Sequence, residues 1–192
     1  MRRAGGWSLA YGKDVESVDL IERVVGSRQV FEGKIISLRV DTVELPNGHQ
    51  SQREIVTHHG AVCIVPIQPD GTVLMVRQFR LATGRVLLEI PAGTLEAGEE
   101  PADCAARELE EETGFKPGTL RRLFHAYLSP GYSTEMVHAF AASDLQPGTV
   151  HLDAGENVRT ESVPIAEIEG RILSGEIADG KTIAALLMAL RT

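Results

Sequence analysis

Glu108, Glu111 and Glu112 stand at i, i+3 and i+4 within Ala102 to Glu112, a stretch of strong helix formers. A helix here projects three carboxylates from one face. Pro101 suits its first turn, and Gly114 is the glycine expected where a helix stops. Like charges at these spacings repel by roughly a few tenths of a kcal/mol per pair, and by more if partly buried. The face must therefore lie in solvent, the commoner fate of a glutamate-rich helix, or meet cations. Mg²⁺ is a hard cation that takes oxygen ligands, commonly one or two carboxylates with substrate phosphate. The chain ahead of the helix, Gly93-Thr94-Leu95-Glu96-Ala97-Gly98-Glu99, has glycines that permit close backbone approach. A carbonyl such as that of Ala92 is available there as one more oxygen ligand.

Around this helix the pattern is mostly strand. Ile35 to Val43 fits a strand ending at Pro46-Asn47-Gly48, a plausible hairpin turn, and another strand begins near Arg53. Ala61 to Gln68 is an apolar run suited to a buried strand. The turn Pro69-Asp70-Gly71 then leads to Thr72 to Phe79, expected as its hairpin partner. Short strands follow at Leu87 to Ile90, Leu120 to Tyr127, Met136 to Ala141 and Ser162 to Pro164, with a polar loop over Ser143 to Asn157. Ile165 to Ser174 and Lys181 to Leu190 read as helices, and the first fifteen residues as a loose arm. This irregular alternation predicts a mixed sheet between helices rather than a doubly wound one. No internal repeat or low-complexity tract interrupts it.

Charge narrows the partners. The 192-residue chain has 27 acidic against 19 basic residues, a formal net charge of −8, which disfavours non-specific binding to nucleic acid or anionic membrane. An anionic substrate needs a local basic cluster or bound cations. Cys63 and Cys104 form neither a metal-ligand spacing nor a disulfide framework, and read as buried thiols of a reducing compartment. With no signal-peptide pattern and no long apolar span, the expected location is cytoplasmic. The histidines are scattered. The His58-His59 pair, adjacent on a strand, faces opposite sides and does not chelate.

The stretch Gly93 to Phe115 resembles the Nudix box, G-x5-E-x7-R-E-U-x-E-E-x-G-U with U a bulky apolar residue, at every specified position. The resemblance implies an α/β fold: a Nudix-type α/β/α sandwich with a mixed sheet, preceded by a small N-terminal antiparallel β region. It divides the chain into an N-terminal, dimerising part over 1–56 and a hydrolase domain over 57–192. It implies hydrolysis of the pyrophosphate of a nucleoside diphosphate linked to another group, with two or three Mg²⁺ ions per site and Mn²⁺ as the alternative. Glu108 and Glu112 would be the principal metal ligands with the Ala92 carbonyl. Glu111 would assist catalysis, Arg107 would orient the glutamates, and Glu99 would brace the loop.

Within the family, Ser129-Pro130-Gly131 fifteen residues beyond Phe115 is similar to the ADP-ribose pyrophosphatases, as are Arg53-Glu54 and the Arg80 that closes Val76-Arg77-Gln78-Phe79-Arg80. That likeness implies substrate binding by Arg53, Glu54, Arg80 and Pro130. It also implies a homodimer whose N-terminal strands complete the partner's site. Glu156, in Asp153-Ala154-Gly155-Glu156-Asn157, matches the subfamily's additional glutamate, as metal ligand or as base. Some relatives have a second acidic residue where this chain has Ala154, so the base is left open between the loop and the helix. The leading activity is ADP-ribose hydrolysis to AMP and ribose 5-phosphate. The rivals are a hydrolase of another nucleoside diphosphate sugar such as GDP-mannose, and a non-catalytic ADP-ribose sensor. The intact glutamates argue against the sensor.

Overall fold

The computed structural model describes residues 20–152, 155 and 157–191. The expected N-terminal arm and the residues Asp153, Ala154 and Glu156 lie outside them. Three strands open the chain: β1 (Arg23–Glu32), β2 (Ile36–Glu44) and β3 (Gln50–His58). They form an antiparallel sheet in the order β1-β2-β3, and the β2–β3 turn falls at the expected Pro46-Asn47-Gly48, with Gly48 at φ 82°. β1 was not separated from its surroundings in the sequence, because all ten of its residues are exposed and carry no in-out alternation.

The remaining strands are β4 (Ala61–Pro66), β5 (Thr72–Arg80), β6 (Arg85–Glu89), β7 (Ala92–Thr94), β8 (Phe115–Lys116), β9 (Thr119–Tyr127), β10 (Met136–Ser143), β11 (Gln146–Pro147) and β12 (Val158–Pro164). The helices are α1 (Pro101–Thr113), α2 (Ile165–Leu173) and α3 (Gly180–Ala189). One sheet runs β7-β4-β10-β9, with β10 parallel to β4 and the other pairings antiparallel, so it is mixed as expected. A second runs β12-β5-β6, and β11, inside the region read as a polar loop, pairs with β8 just after α1.

The expected hairpin of β4 with β5 does not form. Both edges of β4 are taken by β7 and β10, so β5 leaves for the other sheet and only the bridge Ile67–Val73 joins the two. β4 is buried from Val62 onward because helices cover both faces. Val62 and Ile64 on one face meet Cys104, Ala105 and Leu109 of α1. Cys63 and Val65 on the other join a larger cluster with Val73 and Met75 of β5 and Ala185, Leu186 and Ala189 of α3. Helix, sheets and helices are thus layered as a sandwich. No helix among the described residues is long and apolar enough to cross a membrane.

Candidate active site

α1 begins at Pro101, as expected, and ends at Gly114, whose φ of 75° lets its N–H reach the Glu110 carbonyl at 2.7 Å. Its inner face packs Cys104, Ala105 and Leu109 on the sheet, and the same rotation buries two of the glutamates. Glu108 is 8% exposed and Glu112 4%, so the face is not a solvated one.

Both carboxylates are drawn onto the backbone of β7. Glu112 accepts the Ala92 N–H at 3.2 Å. A Cβ placed on Gly93 would lie 1.9 Å from the carboxylate carbon of Glu108, a separation no side chain tolerates. Only glycine allows this approach, and it brings two acids together with the Ala92–Gly93 peptide.

Arg107 binds the rest of the box. Its Nε and Nη2 donate to the two oxygens of Glu99 at 2.9 and 3.1 Å, and its Nη1 donates to Glu108 at 2.8 Å and Glu111 at 2.9 Å. Hydrogen bonds from Arg107 hold the Glu99 carboxyl down at about 2, against an ordinary 4.5. Glu99 in turn accepts the Glu96 N–H at 3.0 Å and so ties the loop to the helix. Burial pushes the neighbouring Cys104 thiol up to about 12, which leaves it an inert core residue.

Arg80 faces the same backbone from β5. It donates bidentately to Glu89 at 2.8 and 2.9 Å, with Glu89 only 1% exposed. Lys181 of α3 donates to the same carboxylate at 2.8 Å and to Asp179 at 2.9 Å. Burial alone would raise the Glu89 carboxyl, but Arg80 and Lys181 outweigh it and hold the group below its ordinary value. Two open cavities of about 520 and 560 Å³ share Arg80, Ala92, Gly93 and Thr94. One extends toward Glu89 and Lys181, the other toward Glu108 and Glu111.

The residues singled out in the sequence therefore divide. Ala92, Arg80, Arg107, Glu108 and Glu111 line these cavities, while Glu112 and Glu99 reach them only through hydrogen bonds to Ala92 and Arg107. Arg53, Glu54 and Pro130 line neither of them. Arg53 is tied to Glu22 on the N-terminal sheet. The turn that carries Pro130 docks on β3, where the Val56 N–H donates to Tyr132 O at 2.8 Å and the Thr134 N–H to Val56 O at 3.0 Å. Glu156 lies outside the described residues. Glu89 and Lys181 were missed, although an acid inside the apolar run Val86-Leu87-Leu88-Glu89-Ile90 is itself a signal of a buried, paired charge.

Among the described residues no three His, Cys, Asp or Glu side chains form a ready cage for a metal ion. What the cleft offers is two buried carboxylates, one on the Ala92 N–H and one against Gly93, with open volume next to them. That suits a hard cation that keeps water or phosphate among its ligands.

A mixed sheet between helices, with a glutamate helix pressed on a glycine of the neighbouring strand, defines a class. The model of the NUDIX domain matches residues 57–186, and the chain belongs to the Nudix family of hydrolases, whose members generally use divalent metal ions such as Mg²⁺. The model of the nucleoside diphosphate sugar hydrolase N-terminal domain matches residues 22–56. The chain is 43% identical over 169 residues to the ADP-ribose pyrophosphatase of Bacillus subtilis, covering 87% of this chain and 91% of that protein. It is 38% identical over 150 residues to the GDP-mannose pyrophosphatase of Yersinia enterocolitica, covering 73% and 78%. A crystal structure of an ADP compounds hydrolase superposes with a TM-score of 0.81 at 24% identity, over 88% of this chain and 92% of that one, a likeness of fold.

Proposed function

We propose that the chain hydrolyses the pyrophosphate bond of ADP-ribose to AMP and ribose 5-phosphate, with Mg²⁺ held by Glu108, Glu112 and the Ala92 carbonyl. The observation that carries this reading is the contact of the Glu108 carboxylate with Gly93, which with Glu112 on the Ala92 N–H brings two acids onto the Ala92–Gly93 backbone beside a cavity. Divalent cations bound there would neutralise the diphosphate and activate water for attack at phosphorus. The chain's own groups do the rest. Arg107 fixes the rotamers of Glu108 and Glu111 by donating to both. Arg80, whose Nε–Nη2 edge is held by Glu89, keeps its Nη1 edge and planar face for phosphate oxygens or an adenine ring beside the cavity. Glu111, half-buried and free of the Ala92 backbone, assists catalysis from the helix.

We assign the general base to Glu156, which would also serve as a further metal ligand. On one side of it the His151 N–H donates to the Glu111 carbonyl at 3.1 Å, and on the other Val158 pairs with Gln78 of β5. The described residues on either side are thus tied to the glutamate helix and to the strand of Arg80. A loop carboxylate whose lone pairs are not all committed to cations is the better proton acceptor.

The working unit in this reading is a homodimer in the cytoplasm, with the division at 56/57. Support for the dimer is apolar surface on the N-terminal sheet: Val24, Val30 and Phe31 of β1 and Ile35 in the β1–β2 turn are all about half exposed or more. Arg53, Glu54 and Pro130 sit on or against that sheet, so their substrate role is read as a contribution across the subunit boundary. Support for the location is the pair of free, buried thiols, Cys63 and Cys104.

The deciding measurement is a substrate panel with Mg²⁺ covering ADP-ribose, GDP-mannose, diadenosine polyphosphates, NADH and CoA, with and without EDTA. ADP-ribose is expected to give the highest kcat/KM and EDTA to abolish turnover. Preference for GDP-mannose, the second reading and the one the Yersinia relative favours, would overturn the substrate. Full activity in excess chelator would overturn the mechanism.

A further inference from the structure

The segment Glu89 to Gly93 is held from two sides. On the front, Glu112 takes the Ala92 N–H and Glu108 presses on Gly93. On the back stands the first turn of α3. Thr182, fully buried, accepts the Ile90 N–H on its hydroxyl at 3.2 Å. That hydroxyl donates to Asp179 Oδ2 at 2.6 Å, and the Thr182 N–H donates to the same oxygen at 3.0 Å, which caps the helix. An ionised carboxylate only accepts, so the Thr182 proton must point at Asp179 and a lone pair is left facing Ile90. One residue earlier, Lys181 clamps Glu89. The front contact is close, since a carbon added at Gly93 would meet the Glu108 carboxylate at 1.9 Å, so that side chain feels any displacement of the peptide.

We propose that Thr182 is a positioning residue of the cleft: through the Ile90 N–H it sets how far the Ala92–Gly93 peptide stands from Glu108 and Glu112. A residue on the last helix, not in the box, thereby tunes the oxygen set. This rests on the reading of Ala92, Glu108 and Glu112 as the metal-binding group. Val in place of Thr182 keeps the shape but offers no acceptor, which strands a buried Ile90 N–H and lets the segment shift toward a new partner.

The test uses the full chain and Mn²⁺ as probe, followed by electron paramagnetic resonance of the free ion without nucleotide. Thr182→Val is expected to weaken Mn²⁺ binding by about tenfold, in the range of lost outer-sphere partners. The Mg²⁺ concentration for half-maximal turnover should rise in parallel while KM for ADP-ribose at saturating Mg²⁺ stays within about twofold. Thr182→Ser, which keeps the hydroxyl, should restore both constants. If Thr182→Val does not fold, Thr182→Ala carries the same expectation. A variant that lowers only the melting temperature, or one that Ser fails to rescue, overturns the inference and leaves the metal reading standing. Wild-type protein that binds no Mn²⁺ overturns both.

Discussion

β1 and β4 are both strands of a chain rich in β-branched residues, yet one is exposed along its whole length and the other is buried from its second residue on. The difference lies in what covers them. β4 has strands on both edges and helices on both faces, so its apolar side chains reach contact density and its position is fixed to within the size of a methyl group. β1 is an edge strand of a three-stranded sheet with no helix upon it among the described residues, and Val24, Val25, Val30 and Phe31 are exposed there. A site that needs carboxylates held tightly belongs on the first kind of sheet. Apolar surface left on the second kind is the surface that the proposed dimer would use.

If the two regions divide the work in this way, damage to the buried one should strike chemistry and damage to the exposed one assembly. Glu112→Gln should give the largest effect, a fall in kcat by about two orders of magnitude or more, on the order of 3 kcal/mol in the barrier. Its melting temperature without metal should hold or rise, because a like charge has been removed. Steady-state assays beside calorimetry would read both, and near-normal turnover would show the helix to be dispensable.

Gly93→Ala comes next and should cost both stability and activity. Moving β7 or Glu108 aside is overpacking worth about 1–3 kcal/mol, with turnover reduced by more than about tenfold. A fully active alanine variant would mean that the approach of Glu108 to the backbone is unimportant.

On the exposed side, Val24→Glu together with Phe31→Glu should halve the mass seen by light scattering at micromolar concentration. The variant should stay folded and weaken ADP-ribose binding. A dimer that survives both charges would remove the N-terminal sheet as the contact.

The smallest expected effect separates the regions by pH. The Glu99 carboxyl has a folded-state value of about 2 against 4.5 in the unfolded chain. Its contribution to stability is therefore complete above pH 4.5 and drains away as pH falls toward 2. Denaturant midpoints over that window should flatten in Glu99→Gln relative to wild type, and an unchanged pH slope would assign acid sensitivity elsewhere.

What could be read from the sequence follows the same divide. α1 and its stop at Gly114 depend on neighbours within about two turns of helix, so spacing conveys them, whereas the grip of Arg107 was implied by the resemblance to the Nudix box. The pairing of β4 and β5 was misread because turn chemistry at Pro69-Asp70-Gly71 says where a chain reverses, not which sheet it joins. That choice was made by β7 and β10, the latter some seventy positions later. β1 escaped for want of alternation. The tie from Glu89 to Lys181 spans 92 positions and leaves no local pattern beyond one acid in an apolar run.

That span has a consequence in time. A chain is made from its N-terminus, so the link of Ile90 between β6 and β7 and the whole glutamate helix leave the ribosome well before Thr182 and Lys181 exist. The front of the cleft can form early, but its back wall arrives only with α3. Until then Glu89 and Arg80 face each other without the second cation, and the Ile90 N–H has no hydroxyl to meet. A nascent or truncated chain ending before Asp179 would own every residue of the box and still lack a finished site. Competence for turnover should thus appear late in synthesis, with the docking of α3.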